Sequence, residues 1–269
     1  MRETTATRST QGFTAGTLIG ILGGLVGLGG AEFRLPVLIG VFKLPTLEAI
    51  IFNKAMSLVV VMAALVFRVK TIPVDVLATH LDVVINLLAG SLIGAWWAAG
   101  HAMTMSRKWL NRVILVLLAG LSLVMLSEAW FNMHQTTTPL FESGIVRMVA
   151  GVIAGFGIGV VAALLGVAGG DLLIPTIVLL FGQDIKVAGS LTLMVSLPTM
   201  IVGFLRYTGA DAFAVLRREK PMFLSMAGGS VVGAALGGLM LGLVPTQFLT
   251  TLLGVILLIS AIKTFQHSH

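Results

Sequence analysis

Two stretches decide the fold: GLVGLGGAEFRLP at residues 24–36 and ALLGVAGGDLLIP at residues 163–175. Each interrupts an apolar run with several glycines, followed by one acidic residue and a proline. Glycine tolerates positive φ angles and proline suits the first turn of a helix, so the pattern predicts an unwound break and then a restarting helix that has Pro36 or Pro175 in its first turn. The alternative is that these glycines only permit close helix packing.

The two stretches belong to an internal repeat with an offset of 139 positions and no gap. Glu32 falls on Asp171, Pro36 on Pro175, and the block Gly90-Ser91 on Gly229-Ser230. Further matched pairs are Gly12 with Gly151, Gly16 with Gly155, Gly20 with Gly159, and Ser57 with Ser196. Chance matching in a glycine-rich chain does not keep an acid, a proline and this block at one offset. The chain therefore consists of two homologous halves.

The composition is that of a membrane protein, because 57% of the residues are hydrophobic and only 10% are charged. Eight apolar runs approach or exceed the roughly 20 residues that a spanning helix needs: 12–30, 46–67, 76–99, 109–127, 144–168, 185–205, 221–242 and 246–262. We expect an all-α, polytopic integral membrane protein with a broken first helix in each half. The predicted parts are a polar tail (1–11) with no removable signal peptide, a first transmembrane repeat (12–131), a linker (132–143) and a second repeat (144–269).

Several functional classes are disfavoured by what the sequence lacks. It contains no cysteine and no H-x-x-H spacing, so we assign no metal and no cofactor. It contains no GxxxxGK[ST] motif for ATP and no nucleophile–base set, so we expect no enzyme. The net charge of +6 is scattered over the loops between apolar runs, which indicates topology signals and not nucleic-acid binding.

The polar residues inside the apolar runs are the candidate binding residues. They are Gly29, Gly30, Glu32, Arg34, Asn53, Lys54, Ser57, Gly169, Gly170, Asp171, Thr192 and Ser196. A restarting helix presents free N–H groups and a positive dipole end, which favours an anion. Glu32 and Asp171 are either N-caps or protonatable groups that couple proton movement to transport.

The cations near the first break also have two interpretations each. Lys54 lies deep in its run and either holds an anionic substrate or extends to the interface. Arg34 is either a second cation for substrate or the partner of Glu32 or Glu48. Asn53, Ser57, Thr192 and Ser196 either line the same cavity or bond to the preceding helical turn. His80, Asp82 and His101 are expected at the ends of the third run.

The segments GLVGLGGAEFRLPVL (24–38), FNKAMSL (52–58), ALLGVAGGDLLIPTIVLLFG (163–182) and VAGSLTLMVSLP (187–198) resemble the sulfite exporter TauE/SafE family. The resemblance covers nearly the whole chain. It implies a secondary transporter of sulfite, organosulfonates or related small anions in the cell membrane. With the residues above, it predicts a multi-pass protein of a bacterial inner membrane that binds its anion at the two breaks and works by alternating access. A cation or metal transporter that uses Glu32 and Asp171, and an anion channel, are the alternatives.

Two topologies are compatible with the repeat. If each broken region crosses the membrane, the halves are parallel; if each is re-entrant, the halves are inverted, which suits alternating access. The inverted arrangement places one set of basic residues on the cytoplasmic side: Lys43, Arg107, Lys108, Arg112, Arg206, Arg217, Arg218 and Lys220. The parallel arrangement places another set there: Arg68, Lys70, Arg206, Arg217, Arg218 and Lys220. The two counts are close to even, so the positive-inside rule does not decide between them. Besides the lipid bilayer and a small anion, the expected partners include a coupling proton or ion, while monomer and homodimer both stay open.

Overall fold

A computed structural model describes residues 5–26, 30–68, 79–131, 143–183 and 185–239, with 251, 255 and 258. Its helices are α1 (Thr5–Val26), α2 (Ala31–Gly40), α3 (Thr46–Arg68), α4 (Leu81–Thr104), α5 (Arg107–Phe131), α6 (Gly144–Leu165), α7 (Gly170–Phe181), α8 (Ile185–Tyr207), α9 (Val215–Arg218) and α10 (Lys220–Leu239), with a short 3-10 helix at Asp211–Ala214. Gly29, the linker and most of the run 246–262 lie outside the described residues.

The prediction of an all-α membrane protein is confirmed. The described residues include three helices long and apolar enough to cross a membrane: Leu81–Thr104, Gly144–Leu165 and Val187–Tyr207. Large apolar side chains face outward on these and neighbouring helices, including Ile93, Ile153 and Leu224. Outward-facing apolar side chains on long helices are what a lipid environment accepts.

Both predicted breaks are present. α2 begins after Gly30 at φ 68°, and α7 begins after Gly169 at φ 77°, so a glycine in the left-handed conformation precedes each restart. Two details of the prediction were wrong. Pro36 and Pro175 lie inside the second turn and not in the first, and the N-caps are these glycines and not Glu32 or Asp171.

Each broken region is re-entrant. Arg8, near the start of α1, donates a hydrogen bond to the carbonyl oxygen of Phe42, just beyond α2, at 3.1 Å. A straight continuation of α1 through α2 would separate these residues by about 50 Å, at 1.5 Å per residue. In the second half, a Cβ on Gly151 would lie 2.9 Å from Cζ of Phe181, the last residue of α7. Therefore α2 and α7 run back along the helices that precede them.

The two halves have inverted topology. The beginnings of α3 and α5 line one cavity together with the end of α4, so these three helix ends lie on one side of the protein. Arg8 of α1 pairs there with Glu219, which precedes α10, while Arg218 pairs with Glu48 of α3. α6 is parallel to α4, because Gly155 and Gly159 pack in register against Leu87 and Ser91. α4 ends at the same end of the protein at which α1 begins, so α4 is antiparallel to α1. Because α6 is parallel to α4, α6 also runs antiparallel to α1.

The halves exchange their first helices. α1 packs most extensively against α10 of the second half, and α6 against α4 of the first half. The contacts repeat at the offset of 139 positions: a Cβ on Gly16 would lie 2.3 Å from the Met226 carbonyl oxygen, and one on Gly155 would lie 2.3 Å from that of Leu87. Such close backbone approach through small residues is typical of helices that associate in lipid. The sequence repeat therefore does not correspond to two separately packed units.

Basic residues are concentrated at the end where α1, α3, α5 and α10 begin. They are Arg8, Lys43, Arg107, Lys108, Arg112, Arg206, Arg217, Arg218 and Lys220. At the opposite end the described positions include only Arg68, Arg147 and Lys186. From the positive-inside rule we therefore expect the first end to face the cytoplasm. His80 and Asp82 begin α4, and His101 lies in its last turn, as predicted.

This orientation can be tested with single cysteines, because the chain contains none. Lys108 lies at the basic end and Ser143 at the opposite end, and both are exposed. We expect a membrane-impermeant maleimide to label Lys108→Cys only in inside-out vesicles and Ser143→Cys only in intact cells. The reverse pattern would contradict the assigned orientation, and labelling of both from one side would contradict the inverted topology.

Candidate functional site

One side chain connects the two breaks. Asn53 in α3 donates from Nδ2 to the carbonyl oxygen of Ala31, at 3.0 Å, and to that of Leu165, at 2.8 Å. Ala31 begins α2 and Leu165 ends α6, so one amide group holds the edges of both breaks. Asn53 is fully buried, where each unmade hydrogen bond would cost about 1–3 kcal/mol. The structure thus brings the two breaks together at α3.

Arg34 extends from α2 into the same region. Its Nη1 donates to Oδ1 of Asn53 at 3.3 Å and to Oγ of Ser57 at 3.4 Å. Ser57 also lies 2.8 Å from the carbonyl oxygen of Asn53 and 3.0 Å from that of Gly166. Ser57 therefore makes both the bond within its own helix and a bond to the second break. The two hydrogen-bond partners of Arg34 are neutral, and Arg34 also interacts electrostatically with Glu32.

Lys54 points into the protein and does not extend to the interface. Its side chain is fully buried, and Nζ donates to the carbonyl oxygen of Ala162 in α6 at 2.8 Å. Gly203 in α8 makes room for it, because a Cβ at that position would lie 2.9 Å from Cε of Lys54. A carbonyl oxygen is a dipole and not a counter-charge. Lys54 is thus a second buried cation beside the breaks.

The two predicted acids occupy equivalent buried positions. Glu32 is the second residue of α2 and Asp171 the second residue of α7, and both side chains are buried. Glu32 also interacts electrostatically with Arg34. The proposed pairing of Arg34 with Glu48 is wrong, because Glu48 pairs with Arg218 at the basic end. We call Glu32, Arg34, Asn53, Lys54, Ser57 and Asp171 the central cluster.

The remaining predicted residues surround this cluster or adjoin it in the chain. Gly30 and Gly169 precede the two restarting helices, and Gly170 is the first residue of α7. Thr192 and Ser196, the repeat counterparts of Asn53 and Ser57, are buried in α8, and within the described part of the chain their hydroxyl oxygens have no hydrogen-bond partner. Buried hydroxyls without partners are expected where a ligand or water completes a site.

Sequence reasoning missed three features near the cluster. Ser91 of α4 and Thr199 of α8 share a hydrogen bond of 2.7 Å, and Tyr207 donates to the carbonyl oxygen of Ala163 at 3.2 Å. Gly203 stands where the first half has Ala64. This departure from the repeat could have identified Gly203 as the residue that makes room for the buried Lys54.

The arrangement is suited to a small anion. α2 and α7 present helix N-termini, whose first N–H groups lack partners within the helix and carry partial positive charge. Arg34 and Lys54 add two formal charges inside a region that is closed to solvent, where electrostatic attraction is weakly screened. Every member of the central cluster is buried, with exposed fractions of at most 7%.

Comparison with known families identifies the chain. The family model of the sulfite exporter TauE/SafE matches residues 12–264, which includes both breaks and both halves. The chain belongs to the TauE/SafE family. No curated protein and no solved structure gave a match. The resemblance read from the sequence is thereby confirmed.

Membership of the TauE/SafE family makes this chain a multi-pass membrane transporter and gives sulfur-containing anions as the kind of molecule carried. The match extends across α1 to α10, so the re-entrant breaks and the central cluster lie within the region that defines the family.

Proposed function

We propose that this protein is a secondary transporter of a small sulfur-containing anion, sulfite or an organosulfonate, in a bacterial inner membrane. The binding site is the central cluster, between the N-termini of α2 and α7. One observation carries the proposal. The N-termini of two half-helices and two buried cations, Arg34 and Lys54, lie together at the boundary between the inverted halves. We assign the protein no catalytic activity.

Alternating access fits the inverted repeat. Burial of the central cluster on all sides corresponds to a closed state between inward-open and outward-open forms. Inverted halves can exchange conformations, so that the same site opens to each side in turn. A channel would instead need a continuous pathway, and unitary currents in planar bilayers would contradict a carrier.

A transporter of metal cations is disfavoured by the charges in the cluster. Glu32 and Asp171 would supply two carboxylates, but Arg34 interacts with Glu32, and Lys54 adds a second positive charge. Two fixed cations in the same closed cluster repel a divalent ion. They therefore offset the attraction of the two carboxylates for a metal cation.

The test is thermal stabilisation of the purified protein in detergent by sulfite, sulfate, thiosulfate, short sulfonates, carboxylates and divalent cations. A ligand at about 100 times its Kd stabilises the folded state by about 2.7 kcal/mol. For a chain of this size that is a rise in Tm of roughly 5–10 °C. We expect such a rise with sulfite or a sulfonate. A rise with divalent cations alone would overturn the proposal.

A further inference from the structure

A cavity of about 240 Å³ lies between the ends of α4 and α8, outside the central cluster. It is lined by Trp96, Trp97, Gly100, His101, Thr104 and Arg206. Both helix ends lie at the basic end of the protein, which we expect to face the cytoplasm. The cavity is far larger than the space that one water molecule needs, so it can hold a ligand group.

Arg206 is held at the wall of this cavity by neutral groups. Its Cζ atom lies 4.5 Å from the centroid of the Trp96 ring, within the range of a cation–π interaction. Gly100 leaves room for the guanidinium group, because a Cβ there would lie 3.3 Å from both Nε and Nη2. Among the described residues, no carboxylate forms an ion pair with Arg206. The guanidinium group is thus positioned without a counter-charge.

His101 supplies a second polar group. Its ring packs against that of Trp97, with the centroids 4.2 Å apart. Its Nδ1 atom lies 2.9 Å from the carbonyl oxygen of Trp97, and because a carbonyl oxygen only accepts, Nδ1 is the donor. In the neutral ring Nε2 is then an acceptor. The cavity therefore offers a cation for an anionic group and an acceptor for a hydroxyl group.

The cavity lies in a surface that faces the lipid. The exposed fractions of Trp96 and Trp97 are 54% and 46%, and tryptophan is enriched at the level of the lipid headgroups. Nearer the middle of each helix, Ile93 of α4 and Ile201 of α8 also face outward, with exposed fractions of 62% and 41%. An apolar surface therefore continues from the cavity toward the acyl chains of the bilayer.

The repeat does not preserve the residue types that line this cavity. At the offset of 139 positions, the residues equivalent to Trp96, Trp97, Gly100, His101 and Arg206 are Ala235, Leu236, Leu239, Met240 and Phe67. No tryptophan, histidine or arginine is retained in this set. The chemistry of the cavity therefore belongs to one leaflet of the membrane and not to both.

We propose that this cavity binds the headgroup of an anionic phospholipid that carries a hydroxyl group, as phosphatidylglycerol does, from the leaflet at the basic end. The planar guanidinium group of Arg206 matches a phosphate group, to which it can donate two hydrogen bonds. Nε2 of His101 accepts from the headgroup hydroxyl. A zwitterionic lipid is disfavoured, because Arg206 would repel its ammonium group. The cytoplasmic leaflet carries anionic lipids, and basic pockets between helices on that side bind their headgroups.

A bound lipid stabilises the contact between α4 and α8. Arg206 belongs to α8 and rests on Trp96 and Gly100 of α4, so a phosphate group on Arg206 holds the two helices together. A ligand that binds only the folded state raises its stability by mass action. The site is independent of the transported anion, because it lies outside the central cluster.

The experiment adds lipids to the full chain in a mild detergent. Phosphatidylglycerol, phosphatidylcholine with the same acyl chains, and free glycerol phosphate are compared by thermal unfolding, and retained lipid is counted by native mass spectrometry. At about ten times its Kd, phosphatidylglycerol is expected to raise Tm by roughly 3–6 °C. The other two compounds should have little effect, and each chain should retain a molecule of phosphatidylglycerol.

Arg206→Gln is expected to weaken the binding of phosphatidylglycerol by about tenfold, because it removes the charge that binds the phosphate group. Arg112→Gln is the matched control. Arg112 also lies over a tryptophan, 5.6 Å from the Trp109 ring centroid, but it does not line the cavity, so this variant should bind normally. Gly100→Leu keeps every charge and fills the cavity. It should lose binding as Arg206→Gln does, and it serves as the test if Arg206→Gln does not fold.

Each contrary outcome overturns a stated part of the proposal. An equal rise in Tm with phosphatidylcholine would contradict recognition of an anionic headgroup. A rise with glycerol phosphate as large as that with phosphatidylglycerol would assign the cavity to a soluble phosphate compound and not to lipid. Equal losses in Arg206→Gln and Arg112→Gln would attribute the effect to net surface charge. Unchanged binding in both Arg206→Gln and Gly100→Leu would place the lipid elsewhere.

Discussion

Replacing Lys54 with methionine is expected to reduce anion transport by at least about 30-fold while leaving the protein folded. Lys54 is fully buried, and its Nζ bonds a carbonyl oxygen in α6. Removing one member of a buried charged contact weakens binding by about 2–5 kcal/mol. A loss of about 2 kcal/mol corresponds to a roughly 30-fold decrease. Flux of labelled sulfite into proteoliposomes gives the measurement.

Stability distinguishes a role in transport from a role in folding. Methionine retains the length of the lysine side chain and removes the cost of burying its charge, which offsets the hydrogen bond that the Ala162 carbonyl oxygen loses. The Tm of Lys54→Met should therefore lie close to that of the unmodified protein. Lys108→Met, at an exposed lysine of the basic end, is the control and should transport normally. Undiminished flux in Lys54→Met would remove Lys54 from the mechanism.

Lys54→Arg is also expected to transport less. The ammonium group lies against Gly203, since a Cβ on Gly203 would be 3.1 Å from Nζ and 2.9 Å from Cε of the lysine. A guanidinium group is larger and planar, so it cannot occupy this space without displacing α8. On the proposed function, we therefore expect the site to require a compact cation and not positive charge alone.

Local features of the fold were predictable from the sequence. The breaks follow from glycine, because Gly30 and Gly169 adopt positive φ angles that other residues adopt at a cost. The equivalence of the halves follows from the constant offset. A functional role for Glu32, Lys54 and Asp171 was predictable, because an ionisable residue inside a membrane is costly and usually serves a function.

Long-range features were not predictable in the same way. Whether α2 continues α1 or returns along it depends on contacts such as that between Arg8 and Phe42, which are 34 positions apart. The N-cap interpretation of Glu32 and Asp171 failed because the preceding glycines already occupy the cap positions. The approach of both breaks to Asn53 depends on how the halves meet, and a repeat in sequence does not contain that information.

The halves share a scaffold but differ in charge. Arg34 and Lys54 have the apolar counterparts Leu173 and Leu193, whereas Glu32 has the acidic counterpart Asp171. Cations thus come from the first half alone, while both halves contribute an acid. In the proposed alternating-access cycle, an exchange of conformations between the inverted halves would keep this asymmetric cluster in place and change only its surroundings.

Gly155→Ala is expected to lower Tm by roughly 6–12 °C, whereas Gly157→Ala on the same helix should raise it slightly. A Cβ on Gly155 would lie 2.3 Å from the Leu87 carbonyl oxygen, so α6 and α4 must separate, at a cost of about 3 kcal/mol. Gly157 faces open space, with no atom within 4 Å, and there alanine gains up to about 1 kcal/mol of helix propensity. Both variants add one methyl group, so opposite signs isolate the interface.

Gly16→Ala extends this test to the other half. Its Cβ would lie 2.3 Å from the Met226 carbonyl oxygen in α10, which is the equivalent contact after the inversion. We therefore expect a loss of Tm similar to that of Gly155→Ala, measured at one heating rate because unfolding of membrane proteins is often irreversible. α1 of the first half packs on α10 of the second half, and α6 of the second half packs on α4 of the first. Equal losses of Tm would therefore show that both exchanged contacts hold the halves together. A loss in one variant alone would contradict the symmetric exchange.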